Sequence, residues 1–342
     1  MFKVSIISPI YNKLSFLDEF WQCLGVQNLS DKQIILVDDG STDGSLEKLL
    51  SFSDHWEEDE NQDWILYTSK NNSILILHLK QNQGISVARY LGVKLAKGKY
   101  IGFADPDDVF DAGLFDGLYE TAKNRNADCV WEDYFCGYSG HRRYVSQAFE
   151  ATPEEMLNVM FDNRSEAGVW NKLFRRTFVE RNGVNFEPRR ISTCDDFVFQ
   201  VRFMLANPVL AYRQGAHYHH VFYKESLSHT HSWIWCKSIE WIGNYFHSLD
   251  VPDACVVSRS NCLVRFKLAL AYSKYYSDED FLDFLPHIKN IKSDGKHYSW
   301  WDKCCFLLCI HGGRRGVLLL DACFHLIRRM ISRIKNAMSV FS

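Results

Sequence analysis

The chain has 342 residues, 46% hydrophobic and 24% charged, with a net charge of −3. This near-average composition excludes a disordered, collagen-like or low-complexity chain, and the length suits two domains or one domain with a long extension. The small net charge gives no global nucleic-acid signal, and aromatic residues at 15% suit a large core.

Residues 3–8 (KVSIIS) are β-branched and predict a buried strand, broken by Pro9 to Asn12. Leu14, Leu17, Trp21 and Leu24 then recur at helical spacing. Residues 33–37 (QIILV) predict a second strand ending in Asp38-Asp39-Gly40, and Ser41 to Asp43 predict the cap of a helix over residues 45–52. Residues 54–73 hold six acids between Asp54 and Asp63 and read as a surface insertion, with a strand-like stretch at 64–68 that suits a short hairpin. A strand at 73–79, a helix at 85–96 and a strand at 99–104 follow, the last ending in Asp105-Pro106-Asp107-Asp108.

A boundary is expected near Asn126. Beyond it lie a strand at 128–135, a helix at 153–161 and a helix at 193–205 that places Asp195 and Asp196 in its first turn, where the helix dipole favours negative charge. From Trp233 onward the pattern is mainly helical. Strands alternating with helices imply a mostly parallel sheet covered on both faces, which binds ligands beyond the carboxyl ends of its strands. Tyr11, Asn12, Asp38, Asp39, Asp105, Asp107 and Asp108 all fall at such ends. Taken singly, the Asp105–Asp108 cluster reads either as a hard, oxygen-rich place for Mg²⁺ or Mn²⁺ or as a solvated turn capping the next helix. Their order and separation together point to a site.

Three segments carry a resemblance: VSIISPIYNKLSFLDEFWQCLGVQ, then QIILVDDGSTDGS, then NQGISVARYLGVKLAKGKYIGFADPDD. In this order they resemble the family 2 glycosyltransferases of bacterial surface polysaccharide synthesis over residues 1–125. VWNKLFRRTFVERNGVNFEP, CDDFVFQVRFML and HYHHVFYKESLSH extend the likeness to residue 231. The resemblance implies an α/β fold of the GT-A type, with a Rossmann-like, mostly parallel nucleotide-sugar-binding sheet. It implies a donor half at 1–125, an acceptor half at 126–231 and a mainly helical extension at 232–342.

It also implies roles. Tyr11 would pack near the nucleotide base, with Pro9 and Ile10 contributing backbone. Asp39, with Asp38 beside it, would accept a hydrogen bond from a uracil or thymine ring N–H. Gly84 would let the backbone approach closely, and Arg89 would approach the base or diphosphate. Asp105 and Asp107 would be the metal-side carboxylates for Mn²⁺ or Mg²⁺, with Asp108 supporting the metal or the donor sugar. Asp195-Asp196 stands where the family has Glu-Asp. Asp196 is the expected base, and the Asp at 195 is a departure that leaves the choice between the two open. Trp170 and Lys172, opening a loop-to-helix segment, are expected on the acceptor side. Trp170 reads equally as packing or as a sugar-stacking surface. Lys224 reads as a phosphate contact or as a solvated lysine, and His229 as a possible ligand to the donor metal. Zinc is disfavoured for the five histidines between His217 and His231, which lack cysteine partners and any HExxH pattern.

The implied activity is that of an inverting, metal-dependent hexosyltransferase. It would move sugar from a nucleotide-sugar donor, UDP-linked first, to a glycan acceptor, lipid-linked through a polyprenyl diphosphate, in capsule, O-antigen or exopolysaccharide synthesis. The alternative is a non-catalytic GT-A binding or assembly subunit. A nucleotidyltransferase would want a Gly-rich basic turn after the first strand, and a nicotinamide-dependent dehydrogenase a GxGxxG. Residues 311–342 carry six basic residues against Asp321, a net +5, while the remaining 33 basic and 41 acidic residues leave −8. Apolar and basic faces at helical spacing there suit contact with an anionic membrane surface or docking on the body. The expected location is the cytoplasm, peripheral on the inner face of the membrane. The N-terminus lacks the features of a signal peptide, no run of 18 apolar residues occurs, and the eleven cysteines read as buried free thiols.

Overall fold

A computed structural model of the chain describes residues 2–138, 140–165, 167–223, 232–273, 275–285, 314 and 316–318. The basic tail apart from Arg314 and residues 316–318, together with Lys224, His229 and His231, lies outside the described residues. The chain divides into two compact units: Met1–Met160 with Arg164–Thr230, and Phe161–Asn163 with His231–Ser342.

The first unit is built on an eleven-stranded mixed sheet. Its strands are β1 (Val4–Ile10), β2 (Lys32–Asp38), β3 (Trp56–Glu60), β4 (Trp64–Ser69), β5 (Ile74–Leu79), β6 (Tyr100–Phe103), β7 (Val109–Phe110), β8 (Cys129–Tyr138), β9 (His141–Val145), β10 (Lys172–Arg175) and β11 (Leu210–Val221). Their order is β3-β4-β5-β2-β1-β6-β10-β8-β11-β7, with β9 on β8. The central run β5-β2-β1-β6 is parallel, as the strand–helix alternation requires. The flanks are mixed: the β3–β4 hairpin continues antiparallel onto β5, β10 runs against both β6 and β8, and β11 runs parallel to β8 but against β7. Between the central strands run α1 (Leu17–Gly25), α2 (Ser45–Leu50) and α3 (Ile85–Leu95). Every residue of β1 is buried, which is what a parallel strand covered on both faces demands.

The 54–73 insertion forms the β3–β4 hairpin, longer than the 64–68 stretch alone suggests, because the acidic run from Glu57 to Glu60 pairs with Ile65 to Thr68. The segment opened by Trp170 differs from expectation. Strand β10 intervenes before α6 (Arg176–Arg181), drawn into the sheet by Leu173 and Phe174, both fully buried.

Further helices α4 (Leu114–Asn124), α5 (Pro153–Phe161) and α7 (Asp195–Leu205) complete the order as far as Thr230. The second unit contains α8 (Trp233–Ser248), α9 (Val256–Tyr272) and α10 (Asp278–Asp283), as the helical pattern from Trp233 predicts. Phe246 and Phe266 stack at 6.0 Å between α8 and α9. Among the described residues, no helix is long and apolar enough to cross a membrane. Cys23, Cys129, Cys136, Cys236, Cys255 and Cys262 are buried, whereas Cys194 is half-buried, short of the burial expected for it.

Candidate active site

The parallel register sets Ile10, Asp38 and His78 side by side at the carboxyl ends of β1, β2 and β5. The Asp39 N–H donates to Ile10 O at 2.8 Å, and the Ala104 N–H to Ile7 O at 3.0 Å, so the β1, β2 and β6 exits share one edge. The turns there are interlocked. Asn12 takes a left-handed φ of 51° and its N–H donates to Ser41 Oγ, while the Lys13 N–H donates to Ser45 Oγ and the Leu14 N–H to Asp43 Oδ2.

At this edge lies a cavity of about 150 Å³, lined in part by Pro9, Tyr11, Lys13, Asp39, Gly84 and Arg190. Asp39 is buried, and the N–H groups of Gln83 and Gly84 donate to its carboxylate at 2.6 and 2.7 Å, with Asn82 Nδ2 at 2.9 Å. Burial pushes its pKa up, and the two backbone donors and Arg190 pull against that. Gly84 sits at φ +98°, and a Cβ there would meet Arg190 Cγ at 3.0 Å. Asp38 does not share this cavity wall. Its Oδ2 lies 2.6 Å from His78 Nδ1, and its Oδ1 is buried without a partner among the described residues. The pleat therefore separates two adjacent acids that sequence reasoning left together.

A second cluster lies after β6. Arg89, on α3, is 3% exposed. Its Nη1 donates to Asp195 Oδ2 at 2.9 Å and its Nη2 to Asp105 Oδ1 at 3.1 Å. Burial alone would depress its pKa, but Asp195, Asp105 and Asp196 hold it above the ordinary value. Arg89 thus binds two carboxylates here, whereas the resemblance implied an approach to the base or diphosphate. Cys194, at a left-handed φ of 57°, turns the chain into α7. Asp195 is buried against Arg89, whereas the Asp196 carboxylate accepts from the Phe197 N–H at 2.9 Å and is only partly covered.

Asp107 pairs with Lys13, and both side chains are about a quarter exposed, 23% and 25%. Asp108 differs. It is 3% exposed and accepts from the Tyr218 hydroxyl and the Val221 N–H, each at 2.8 Å, with His220 Nδ1 at 3.2 Å. Burial raises its pKa to about 6, against the pull of His220. The partners of Asp108 here are protein donors, whereas the resemblance implied support for the metal or the donor sugar. It anchors the acidic turn, helped by the Asp105 N–H donating to Tyr218 Oη at 3.2 Å.

Trp170 and Lys172 are both covered, and Trp170 takes the packing alternative that the sequence offered. Trp170 is 4% exposed and stacks on Tyr218 at 4.5 Å, and Lys172 is 1% exposed, with Nζ donating to Gly168 O and Asn171 Oδ1. Both support the site from beneath, because β10 lies inside the sheet. Of the histidines, His217 pairs with Glu132, His219 with Asp111 and His220 with Asp108. Among the described residues, no group of three His, Cys, Asp or Glu side chains is placed to hold a metal.

Asp105 and Asp107 do fit the chemistry of Mn²⁺ or Mg²⁺: two partly accessible carboxylates on one turn, with room left for phosphate oxygens. Lys13, Asn82, Arg190, Tyr218 and His220 were not singled out for these contacts from the sequence. Lys13 and Asn82 lie inside the first and third quoted segments, Tyr218 and His220 lie inside HYHHV, and Arg190 has no sequence signal.

Fold and site together define an α/β sheet with an acidic ligand cleft at its strand exits. The profile of the family described as Glycosyl transferase family 2 matches residues 5–183, just over half of the chain, and the chain belongs to that family. An uncharacterized glycosyltransferase of Bacillus subtilis, EpsJ, is 36% identical over 191 residues, 54% of this chain and 51% of that one. The poly(ribitol-phosphate) beta-glucosyltransferase of Bacillus spizizenii is 28% identical over 202 residues, 58% of this chain and 28% of that one. The chain spans 51%, 62% and 56% of the length of three curated relatives that it matches. Crystalline S. aureus TarS 1-349 in complex with UDP-GlcNAc superposes with a TM-score of 0.68 at 16% identity, over 95% of this chain and 92% of that one. The fold is GT-A.

Proposed function

We propose that this family 2 member is an inverting glycosyltransferase that transfers sugar from a nucleoside-diphosphate sugar, UDP-linked first, to a glycan acceptor. The observation that carries this reading is Arg89, which holds Asp105 and the first turn of α7 together beside the Asp39 cavity. The nucleotide base fits the cavity between Tyr11 and Asp39, whose carboxylate, held by Gln83 and Gly84, keeps accepting capacity for a ring N–H. Solved structures of similar fold favour a nucleotide sugar: TarS is in complex with UDP-GlcNAc, and the mannosyltransferase PcManGT of Pyrobaculum calidifontis is in complex with GDP-Man and Mn²⁺.

Asp196 is the base. Asp195 is buried against Arg89, whereas the Asp196 carboxylate is only partly covered, and we assign it the proton of the acceptor hydroxyl. That oxygen attacks the anomeric carbon as the bond to the diphosphate breaks on the opposite face, and configuration inverts. Asp105 and Asp107 would hold a divalent cation whose charge neutralises the departing diphosphate. The acceptor we propose is lipid-linked through a polyprenyl diphosphate, in surface polysaccharide synthesis at the inner face of the membrane, with the basic tail on anionic lipid.

The test is a thermal-shift panel of UDP, dTDP, GDP and ADP, each with Mn²⁺ or EDTA. A ligand at about 100 times its Kd stabilises the fold by about 2.7 kcal/mol. Metal-dependent stabilisation by UDP that is lost in Asp39→Ala supports the reading. No response to any nucleotide overturns it and favours a non-catalytic assembly subunit on the same frame.

A further inference from the structure

The ion pair between Lys13 and Asp107 joins the two halves of the cleft. Lys13 lines the cavity that holds Asp39 and Gly84, yet its Nζ reaches across 94 residues of sequence to the carboxylate of the acidic turn. Its backbone cannot drift, because the Lys13 N–H is held by Ser45 Oγ and the next N–H by Asp43. Its ammonium also stands 5.4 Å from the centre of the Phe16 ring, so the side chain is guided toward the turn. A tethered cation therefore occupies the position between base cavity and acidic turn, where a nucleoside diphosphate would pass its phosphates.

We infer that Lys13 is a positioning residue that exchanges partners when the donor arrives. Without donor, its ammonium neutralises Asp107 and competes with a divalent cation for that carboxylate. With donor, the ammonium turns to a phosphate oxygen, and Asp107 is released toward the metal. Metal and nucleotide then bind with positive coupling, each raising the affinity of the other by the same factor. This inference rests on the proposed donor site but goes beyond it, since it assigns to one lysine a share of the coupling between nucleotide and metal.

The experiment uses the full chain and two binding readouts, neither of them activity. Free Mn²⁺ is followed by electron paramagnetic resonance during titration, with and without UDP, and UDP binding is followed by calorimetry with and without Mn²⁺. In the unaltered protein Mn²⁺ should bind weakly alone and more tightly with UDP. Lys13→Met should bind Mn²⁺ alone more tightly by about fivefold, the value of a partly exposed ion pair. It should bind UDP more weakly and lose most of the coupling. Lys13→Arg should keep the coupling, because it retains a cation of similar reach. Equal Mn²⁺ affinity and equal coupling in Lys13→Met and the unaltered protein would overturn the exchange alone. An unaltered protein that binds neither UDP nor Mn²⁺ would overturn the exchange together with the donor site.

Discussion

Arg89 Nη1 lies 2.9 Å from Asp195 Oδ2, an ion pair in which both side chains are about 95% covered. The pair ties α3, which follows the Asp39 cradle, to the helix that carries the proposed base. Its other arm reaches Asp105. Removing one partner of such a pair strands a buried charge and costs about 3–5 kcal/mol. Arg89→Ala should therefore lose stability on that scale in urea denaturation. Arg89→Lys should recover only part of it, because an ammonium cannot span both carboxylates in the guanidinium's fixed fork.

The division of labour between the two acids of α7 makes a kinetic prediction. Asp196→Asn should cut kcat by about 10²–10⁴-fold, the usual share of a general base, with the UDP affinity unchanged. Asp195→Asn should instead lower the melting temperature and weaken catalysis through a displaced Arg89. Single-turnover assays beside calorimetry on both variants separate the two roles. A fully active Asp196→Asn would exclude it as the base.

Gly84 joins backbone geometry to ligand binding. Its φ of +98° belongs to a region that side chains avoid, and its N–H donates to Asp39. Gly84→Ala should cost about 1–3 kcal/mol of stability. It should also weaken nucleotide binding, because the Asp39 carboxylate shifts with its donor. Nucleotide Kd and denaturation midpoint measured on the same variant check both effects.

Asp108 titrates near neutrality. Burial raises its pKa from 3.8 to about 6, so the folded protein prefers the protonated acid. The favourable contribution is complete below about pH 4 and is lost as pH rises through 6. Ionisation in the folded state then costs about 3 kcal/mol above that window. Asp108→Asn cannot ionise, and its single acceptor oxygen keeps one of the two donors, Tyr218 or the Val221 N–H, which lowers stability by a pH-independent amount. Its melting temperature in EDTA should therefore rise relative to the unaltered protein between pH 5 and 7.5. Parallel pH profiles for the two proteins would exclude the raised pKa.

How much of this was legible in the sequence depended on the range of each contact. The strands at 3–8, 33–37, 73–79 and 99–104 announced themselves through β-branched runs, and the exits of three of them, β1, β2 and β6, brought Tyr11, Asp39 and Asp105 to one edge by topology alone. Asp195 and Asp196 were placed in the first turn of a helix by the spacing of Phe197, Val201 and Met204. What local pattern could not supply was orientation and long-range partnership. Asp38 and Asp39 look equivalent in a string, and the pleat sends one to His78 and the other to the cavity. Trp170 and Lys172 carry no mark of burial, because their cover comes from strands placed far away in sequence. The Lys13–Asp107 and Arg89–Asp195 pairs join residues 94 and 106 apart, a distance over which one sequence carries no signal.

The hairpin at the edge of the sheet has a consequence for the protein in concentrated solution. Strand β3 ends the strand order, and Glu57, Glu58, Asp59 and Glu60 along it are all exposed. A second copy that tried to add its own β3 to this edge would lay one row of carboxylates against another. At the far end, β7 has two residues and gives an incoming strand little to grip. Charge at one end and brevity at the other make the sheet self-terminating. The charge half of that protection is testable by neutralisation: Glu57→Gln combined with Asp59→Asn should raise self-association in light scattering, and the unaltered protein should show none.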